Sequence, residues 1–487
     1  MSKLSELIPA GGSAKELSAV ASGTLPNGRA VILNSNGTVT AVTGDGATQT
    51  VGTPTSAATG ANIGDWTDVA YDTYSNKIIA VYEQGGNGCC SVGTVSGDTI
   101  SFGTRVVFNS SNASYIAVAC DGSTGKIMIV FKSDSNRPYG IIGVVSGTII
   151  NFGTRVTADN GVIFGNDVVF DSNQNRFVHV YKGNNQGGPV AIIGTVSGTN
   201  TLTYDGKTTI DSDASAIGAL VFDSNSNKVV SIYRDSGVGK MVVRVGTVTG
   251  ADAISFGSEV QINNDNWNEL NAVFDSSVNK IILVGVNASN NNYGISVCIT
   301  VNGSSASAGT PVAFRSAVIT YPHVAYDSTA NKQVLSFIKS GVGEITVGTL
   351  TGTTLSWTAS TIYFTGDTST SGYPASTYDP DTSKVVTWYR RQTDGTTVGL
   401  GTGVTFQAEW STTNLTATNF VGFASEAIAS GATGVINPIG GVSSNQTSLT
   451  IGSTYYVQGN GTVSTVSTSP AVNVGKAISA TSLLLKG

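Results

Sequence analysis

The stretch VAYDTYSNKIIAVY, residues 69–82, returns near the far end of the chain as VAYDSTANKQVLSF, residues 324–337. Its frame is an aromatic residue or Cys, then Asp, three variable residues, a small turn residue, and Lys or Arg. The same frame is anchored at Asp72, Asp121, Asp171, Asp223, Asp275, Asp327 and Asp379, at intervals of 49, 50, 52, 52, 52 and 52 residues. It closes with Asn76-Lys77, Gly125-Lys126, Asn175-Arg176, Asn227-Lys228, Asn279-Lys280, Asn331-Lys332 and Ser383-Lys384. Seven copies at a near-constant period identify a repeat architecture.

One repeat reads as four strands. WTDVAYD (66–72) is followed by the turn TYSN, then KIIAVYE (77–83), the turn QGGNG, CCSVGTVSG (89–97) and TISFGTRVVF (99–108). The runs are of strand length and rich in β-branched and aromatic residues. The third-strand phrase recurs as IGVVSG (142–147), IGTVSG (193–198), VGTVTG (245–250) and VGTLTG (347–352), and the fourth as NFGTRVTA, SFGSEVQI and SAGTPVAF. Second strands such as KIIAVY are apolar on both faces, which suits a strand packed between neighbouring sheets. Four strands per unit of about 50 residues describe a propeller blade.

The expected fold is therefore all-β: a seven-bladed β-propeller over 48–406, with an N-terminal arm over 1–47 and a small C-terminal β domain over 407–487. The last repeat lacks a fourth strand, and TQTVGTPTS (48–56) resembles the missing phrase. It is expected to complete blade seven and latch the ring.

The Asp-Asn segment is expected to be the hairpin between the first and second strands. Asp accepts hydrogen bonds from turn N–H groups, Asn or Gly tolerates left-handed backbone, and Lys is placed to pair with the Asp. The alternative is a calcium loop, suggested by DSNQN (171–175) and DSNSN (223–227). A later bidentate Glu is missing, and DTYSN lacks a middle ligand, so the turn reading is preferred and no metal is expected.

Composition narrows the function. Charged residues make up 11%, the net charge is −6 and no basic block occurs, so nucleic acid is not an expected partner. No apolar run is long enough to span a membrane, and the opening MSKLSELIPAGG has no secretory apolar core. Cys89, Cys90, Cys120 and Cys298 read as small buried hydrophobes.

In a propeller the start of the first strand and the loop between the second and third strands open on one face, opposite the Asp-Asn turns. Six residues before each repeat Asp stand Trp66, Tyr115, Gly165, Ile217, Glu269, Tyr321 and Tyr373. The neighbouring loops, among them QGGNG (84–88), KSDSNRP (132–138), KGNNQGG (182–188), NASNNN (287–292) and RRQTDG (390–395), are polar. Aromatic faces among such loops suit sugar stacking, which makes Trp66, Tyr115, Tyr321 and Tyr373, with the nearby His323, the candidate glycan-binding residues. The competing reading is that these rings pad blade junctions. His179 reads as a packed residue in mid-strand. No nucleophile elbow, zinc motif, phosphate loop or dinucleotide fingerprint occurs, so no catalytic residue and no cofactor are expected.

Beyond residue 406 the repeat stops. FVGFASEAIASGATGVI (420–436), LTIGSTYYVQGNGTVST (449–465) and VGKAISATSLLL (474–485) follow, and this segment resembles a module at the ends of tail-fibre and other virion surface proteins of marine bacteriophages. The opening MSKLSELIPAGG resembles the N-termini of the same group. The resemblance covers about 80 residues plus the first dozen. It implies a non-enzymatic virion component, made in the cytoplasm of an infected host and present in several copies. Its implied partners are other virion proteins, through one or both termini. Joined to the rim reading, it gives a surface protein for host attachment through a host surface glycan, with a structural decoration protein of capsid or tail and a glycan-degrading propeller enzyme as the alternatives. It supplies no catalytic residues.

Overall fold

The computed structural model describes residues 16–43, 49–58, 63–133, 135–183, 187–237, 239–250, 253–364, 372–392, 399–408, 413–459, 461–467 and 471–486. The opening MSKLSELIPAGG, Thr48 and parts of the polar loops lie outside these residues. The chain divides into two compact units, Thr50–Ala408 and Met1–Gln49 together with Glu409–Gly487.

Thr50–Ala408 is a β-propeller. Among the described residues it holds seven antiparallel sheets, numbered here as blades 1–7 in chain order. Their first strands are Ile63–Asp72, Ser114–Asp121, Ile163–Asp171, Ala214–Asp223, Trp267–Asp275, Thr320–Asp327 and Gly372–Asp379. Each packs on the next, and the last packs on the first. Second strands such as Lys77–Gln84 are buried between blades, as their unbroken apolar runs require.

The ring closes as the sequence suggests. Thr50–Val51 and Thr55–Ala58 pair with the third strand of blade 7, Gly399–Gln407. Thr50 lies opposite Gln407, so the chain enters and leaves the propeller on adjacent strands.

The hairpin motif is a turn device at every copy. Each repeat Asp is buried, and its Oδ1 accepts the backbone N–H two residues on at 2.9–3.1 Å. The residue before the Lys or Arg has left-handed backbone, with φ of 53–68° at Asn76, Gly125, Asn175, Asn227, Asn279, Asn331 and Ser383. The expected Lys–Asp pairing is corrected. Lys228 and Lys332 donate instead to Thr247 and Thr349 on the third strand, each at 2.7 Å. Asp223→Ala is expected to cost about 0.5–2 kcal/mol, the scale of a lost cap or turn bond. Urea denaturation should show that loss with and without calcium alike; a calcium-dependent midpoint abolished by the substitution would make the turn a metal site.

The fourth strand departs from the expected single run. In blade 1 it is split into Thr99–Phe102 and Val106–Asn109, both paired with the third strand. The Gly of the repeated FGT phrase sits at the break. A Cβ on Gly103 would lie 1.9 Å from the carbonyl oxygen of Thr148, in the outer hairpin of blade 2. The same approach recurs between Gly52 and Asp98 at 2.1 Å, where blade 7 meets blade 1. The phrase is thus an inter-blade contact. Gly103→Ala is expected to destabilise by about 1–3 kcal/mol in thermal or urea melts, since backbone must move.

Cys89, Cys90 and Cys298 are buried free thiols, and Cys120 is half-buried.

The second unit corrects the expected separation of an N-terminal arm from a C-terminal domain. One sheet runs in the order Leu17–Val20, Thr433–Pro438, Phe420–Ala424, Ala30–Leu33, Val39–Ala41, so both chain ends build it. A second sheet comprises Val442–Ser443, Leu483–Leu485, Val472–Ala477, Thr454–Val457 and Val463–Ser464. Ala30, Ile32 and Val42 share a core with Phe420, Phe423, Tyr455, Val457 and Leu483. The apolar N-terminal run therefore finds its partner across the length of the chain.

Candidate functional site

The rim residues stand where each first strand slips register against its second strand. The slip falls between Ile63 and Thr67 in blade 1, Ser114 and Ala117 in blade 2, Thr320 and His323 in blade 6, and Gly372 and Ala375 in blade 7. Tyr115, Glu269, Tyr321 and Tyr373 have φ of 50–56° there. Left-handed backbone costs a residue with a Cβ about 1–2 kcal/mol, which glycine avoids. Retaining Tyr at three such positions is therefore a strained choice that the surrounding blade must support.

The four aromatic candidates form two pairs. Trp66 and Tyr115 have ring centroids 4.0 Å apart. Those of Tyr321 and Tyr373 lie 4.2 Å apart, with their hydroxyls at 3.2 Å. Thr67 Oγ1 donates to the Tyr373 carbonyl at 2.8 Å across the blade 7–blade 1 seam. Blades 6, 7, 1 and 2 are consecutive, so the pairs form one arc on part of the channel mouth. Trp66 is 37% exposed and the three Tyr are half-buried. Cations border the arc: Lys132 Nζ is 5.0 Å from the Tyr115 centroid, and the Arg390 guanidinium carbon is 5.0 Å from that of Tyr373. Gly165 and Glu269 leave the facing blades without an aromatic residue at this position. Phe164, beside Gly165 and 52% exposed, is an apolar residue at that end of blade 3 that the spacing rule misses by one place.

His323 is not grouped with the rim rings. Its Nδ1 accepts the Ser376 N–H of blade 7 at 3.0 Å, which leaves Nε2 to carry the proton of the neutral ring. Nε2 lies 3.9 Å from Asp68 Oδ1. His323 belongs to a second repeated position, four residues before the repeat Asp, occupied by Asp68, Ala117, Asp167, Ala219, Asn271, His323 and Ala375. The polar members tie blade to blade. Asp68 Oδ2 accepts the Val118 N–H at 2.9 Å, Asp167 Oδ2 that of Leu220 at 3.0 Å, and Asn271 Oδ1 that of Val324 at 2.9 Å. Sequence reasoning missed Asp68, Asp167 and Asn271; the available signal was a polar residue inside an otherwise apolar first strand.

Burial shifts these groups. Desolvation pushes the Asp68 and Asp167 carboxyls up to about 7, against the pull of their backbone N–H donors. It holds His323 down at about 4. Both oxygens of each Asp are occupied, since Val69 and Val168 donate to the Oδ1 atoms at 2.8 Å. Such carboxyls are structural ties, poorly placed to exchange protons with a substrate.

One acidic cluster lies elsewhere. Carboxylate oxygens of Asp211, Asp235 and Glu259 fall within 4.8 Å of one another. Arg244 stands 3.5 Å from Asp211 and 3.8 Å from Glu259, and Tyr233 donates to Asp211 at 2.8 Å. The arginine supplies the positive charge that this cluster would otherwise draw from an ion.

No protein-family model matches the chain, and no curated protein matches it. Solved structures similar to it include the β-propeller domain of Cps50 (Swd1) from Myceliophteria thermophila, at 8% identity and TM-score 0.49, covering 73% of this chain and 100% of that one. A protein from Lactobacillus plantarum is similar at 16% identity and TM-score 0.47, over 67% of this chain and 97% of that one. The Dos1 propeller is similar at 9% identity and TM-score 0.42, over 81% and 90%.

Proposed function

We propose that this chain is a non-catalytic virion surface protein whose propeller mouth binds a host surface glycan. The observation that carries the recognition reading is the arc of Trp66, Tyr115, Tyr321 and Tyr373, three of them held in left-handed backbone. The left-handed backbone itself follows from the register slip and is shared by Glu269; what the arc adds is two close aromatic pairs on consecutive blades, with Trp66 partly exposed. Amphipathic rings held at a blade rim can stack on sugar faces at little entropic cost. The virion assignment rests on the resemblance of both chain ends to phage surface proteins. The C-terminal segment shares a sheet with Leu17–Val20, Ala30–Leu33 and Val39–Ala41, and in this reading that unit anchors the chain to other virion proteins. Many copies on one particle convert weak single contacts into firm attachment.

The test uses bead-displayed, multivalent protein on glycan arrays and in host-cell adsorption. Trp66→Ala with Tyr321→Ala is expected to weaken single-site binding about 10–100-fold, at about 0.5–1.5 kcal/mol per lost stack plus lost apolar area. Unchanged adsorption by a folded double variant would reduce the arc to padding and leave a structural decoration role. Cleavage of the glycan by purified protein would replace binding with catalysis.

A further inference from the structure

The mouth has a third repeated position. Eleven residues after each repeat Asp, where the second strand ends, stand Glu83, Lys132, Lys182, Arg234, Val286, Ile338 and Arg390. Four of the seven are cationic, against a net charge of −6 for the chain. Strand register sets Lys132 opposite Ser114 and Arg390 opposite Gly372, each one residue before a rim tyrosine. That register explains why both cations come to lie 5.0 Å from the rings of Tyr115 and Tyr373. Arg390 is held by Asp65 at 2.6 Å. Among the described residues no carboxylate pairs with Lys132, although it stands over the ring next to Trp66.

We propose that the mouth selects an anionic polysaccharide, with the sugar ring in the aromatic arc and its carboxylate or sulfate met by Lys132 and Arg390. This rests on the glycan reading of the mouth and adds the ligand's charge to it. Cations at the edge of an aromatic face can reach an acidic substituent while the ring holds the sugar's apolar face. The arginine fork fits carboxylate and sulfate oxygens, and in the free protein Asp65 occupies it.

The full chain, displayed on beads, is offered a uronic acid polymer, a sulfated polysaccharide, a neutral glucan of matched length and single-stranded DNA. One or both acidic polymers should bind at least about tenfold tighter than the glucan, and raising NaCl from about 0.05 to about 0.5 M should remove most of that preference. Lys132→Gln should weaken the acidic polymer about 3–10-fold and leave the glucan unchanged, whereas Asp65→Asn, which removes the carboxylate charge beside Arg390, should tighten it. The uronate and sulfate arms tell which acidic group is read. Equal binding of glucan and acidic polymers, insensitive to salt, would overturn the charge selection and leave the glycan reading intact. DNA binding as tightly as the best polysaccharide would overturn it in favour of plain polyanion attraction. Failure of every glycan to bind would end both readings.

Discussion

Trp388→Ala is expected to lower the propeller's stability by about 3–5 kcal/mol, the usual cost of truncating a fully buried aromatic residue. Trp388 lies on the second strand of blade 7 and is wholly buried. It stacks on Tyr82 of blade 1 with centroids 5.1 Å apart and meets the edge of Phe102 at 5.4 Å. Ile63, Val69, Ile78 and Ile100 of blade 1 complete that cluster with Ala375 and Val386 of blade 7. The seam unites strands from the two ends of the propeller, so its contacts form only when the ring closes. The indole N–H has no partner among the described residues, and the loss is therefore one of packing. Trp388→Phe should retain much of it. Equilibrium urea unfolding is the measurement; a loss below about 1 kcal/mol for the Ala variant would mean that the closing seam contributes little.

His179→Ala is expected to cost about 2–4 kcal/mol and to change the pH dependence of stability. His179 is fully buried, with Nδ1 2.9 Å from the Tyr204 hydroxyl and Nε2 2.6 Å from Asn166 Oδ1, so truncation leaves a cavity and two unpaired polar groups. Burial holds its pKa near 3, against 6.5 when unfolded. Between those values the unfolded chain takes up a proton that the fold refuses, so stability is lost as pH falls. The slope is about 1.4 kcal/mol per pH unit per group. His323, held near 4, acts in the same direction. Asp68 and Asp167, raised to about 7, act oppositely: above pH of about 4 the fold keeps protons that the unfolded chain releases, so stability is lost as pH rises. Two histidines and two aspartates therefore offset one another between about pH 4 and 6.5. Removing His179 should tilt the profile down towards neutral pH, and Asp167→Asn should tilt it down towards acid. Urea midpoints at about pH 4.5, 5.5 and 6.5 would reveal this; parallel profiles for the two variants would contradict it.

The blade repeat was legible because its local and global demands coincide. The Asp of each hairpin caps its own turn, and the next residue but three must adopt left-handed backbone, so both appear as residue types at fixed spacing. The closing strands at 50–58 were legible because they spell a phrase used elsewhere as a fourth strand. The inter-blade role of the FGT glycine was not, since a close approach to Thr148 depends on how neighbouring blades tilt. The union of Ala30–Leu33 with Phe420–Ala424 was hidden for another reason: two short apolar runs nearly four hundred residues apart have no shared phrase to link them. At the mouth, the −6 position marked the aromatic residues, but its backbone strain arises from the register slip and leaves no compositional trace. The neighbouring Tyr321 places His323 at the rim in the sequence, but the register slip between Thr320 and His323, with left-handed backbone at Tyr321, breaks the shared facing and turns His323 to the Ser376 N–H.

Sugar binding on the aromatic arc is decided by a crystal structure of the full chain with an oligosaccharide chosen from the array. A sugar ring is expected stacked on Trp66 and Tyr115 or on Tyr321 and Tyr373, with any acidic substituent towards Lys132 or Arg390. Sugar bound at full occupancy on the Asp-Asn turn face, or along the outer strands with the arc empty, would contradict it.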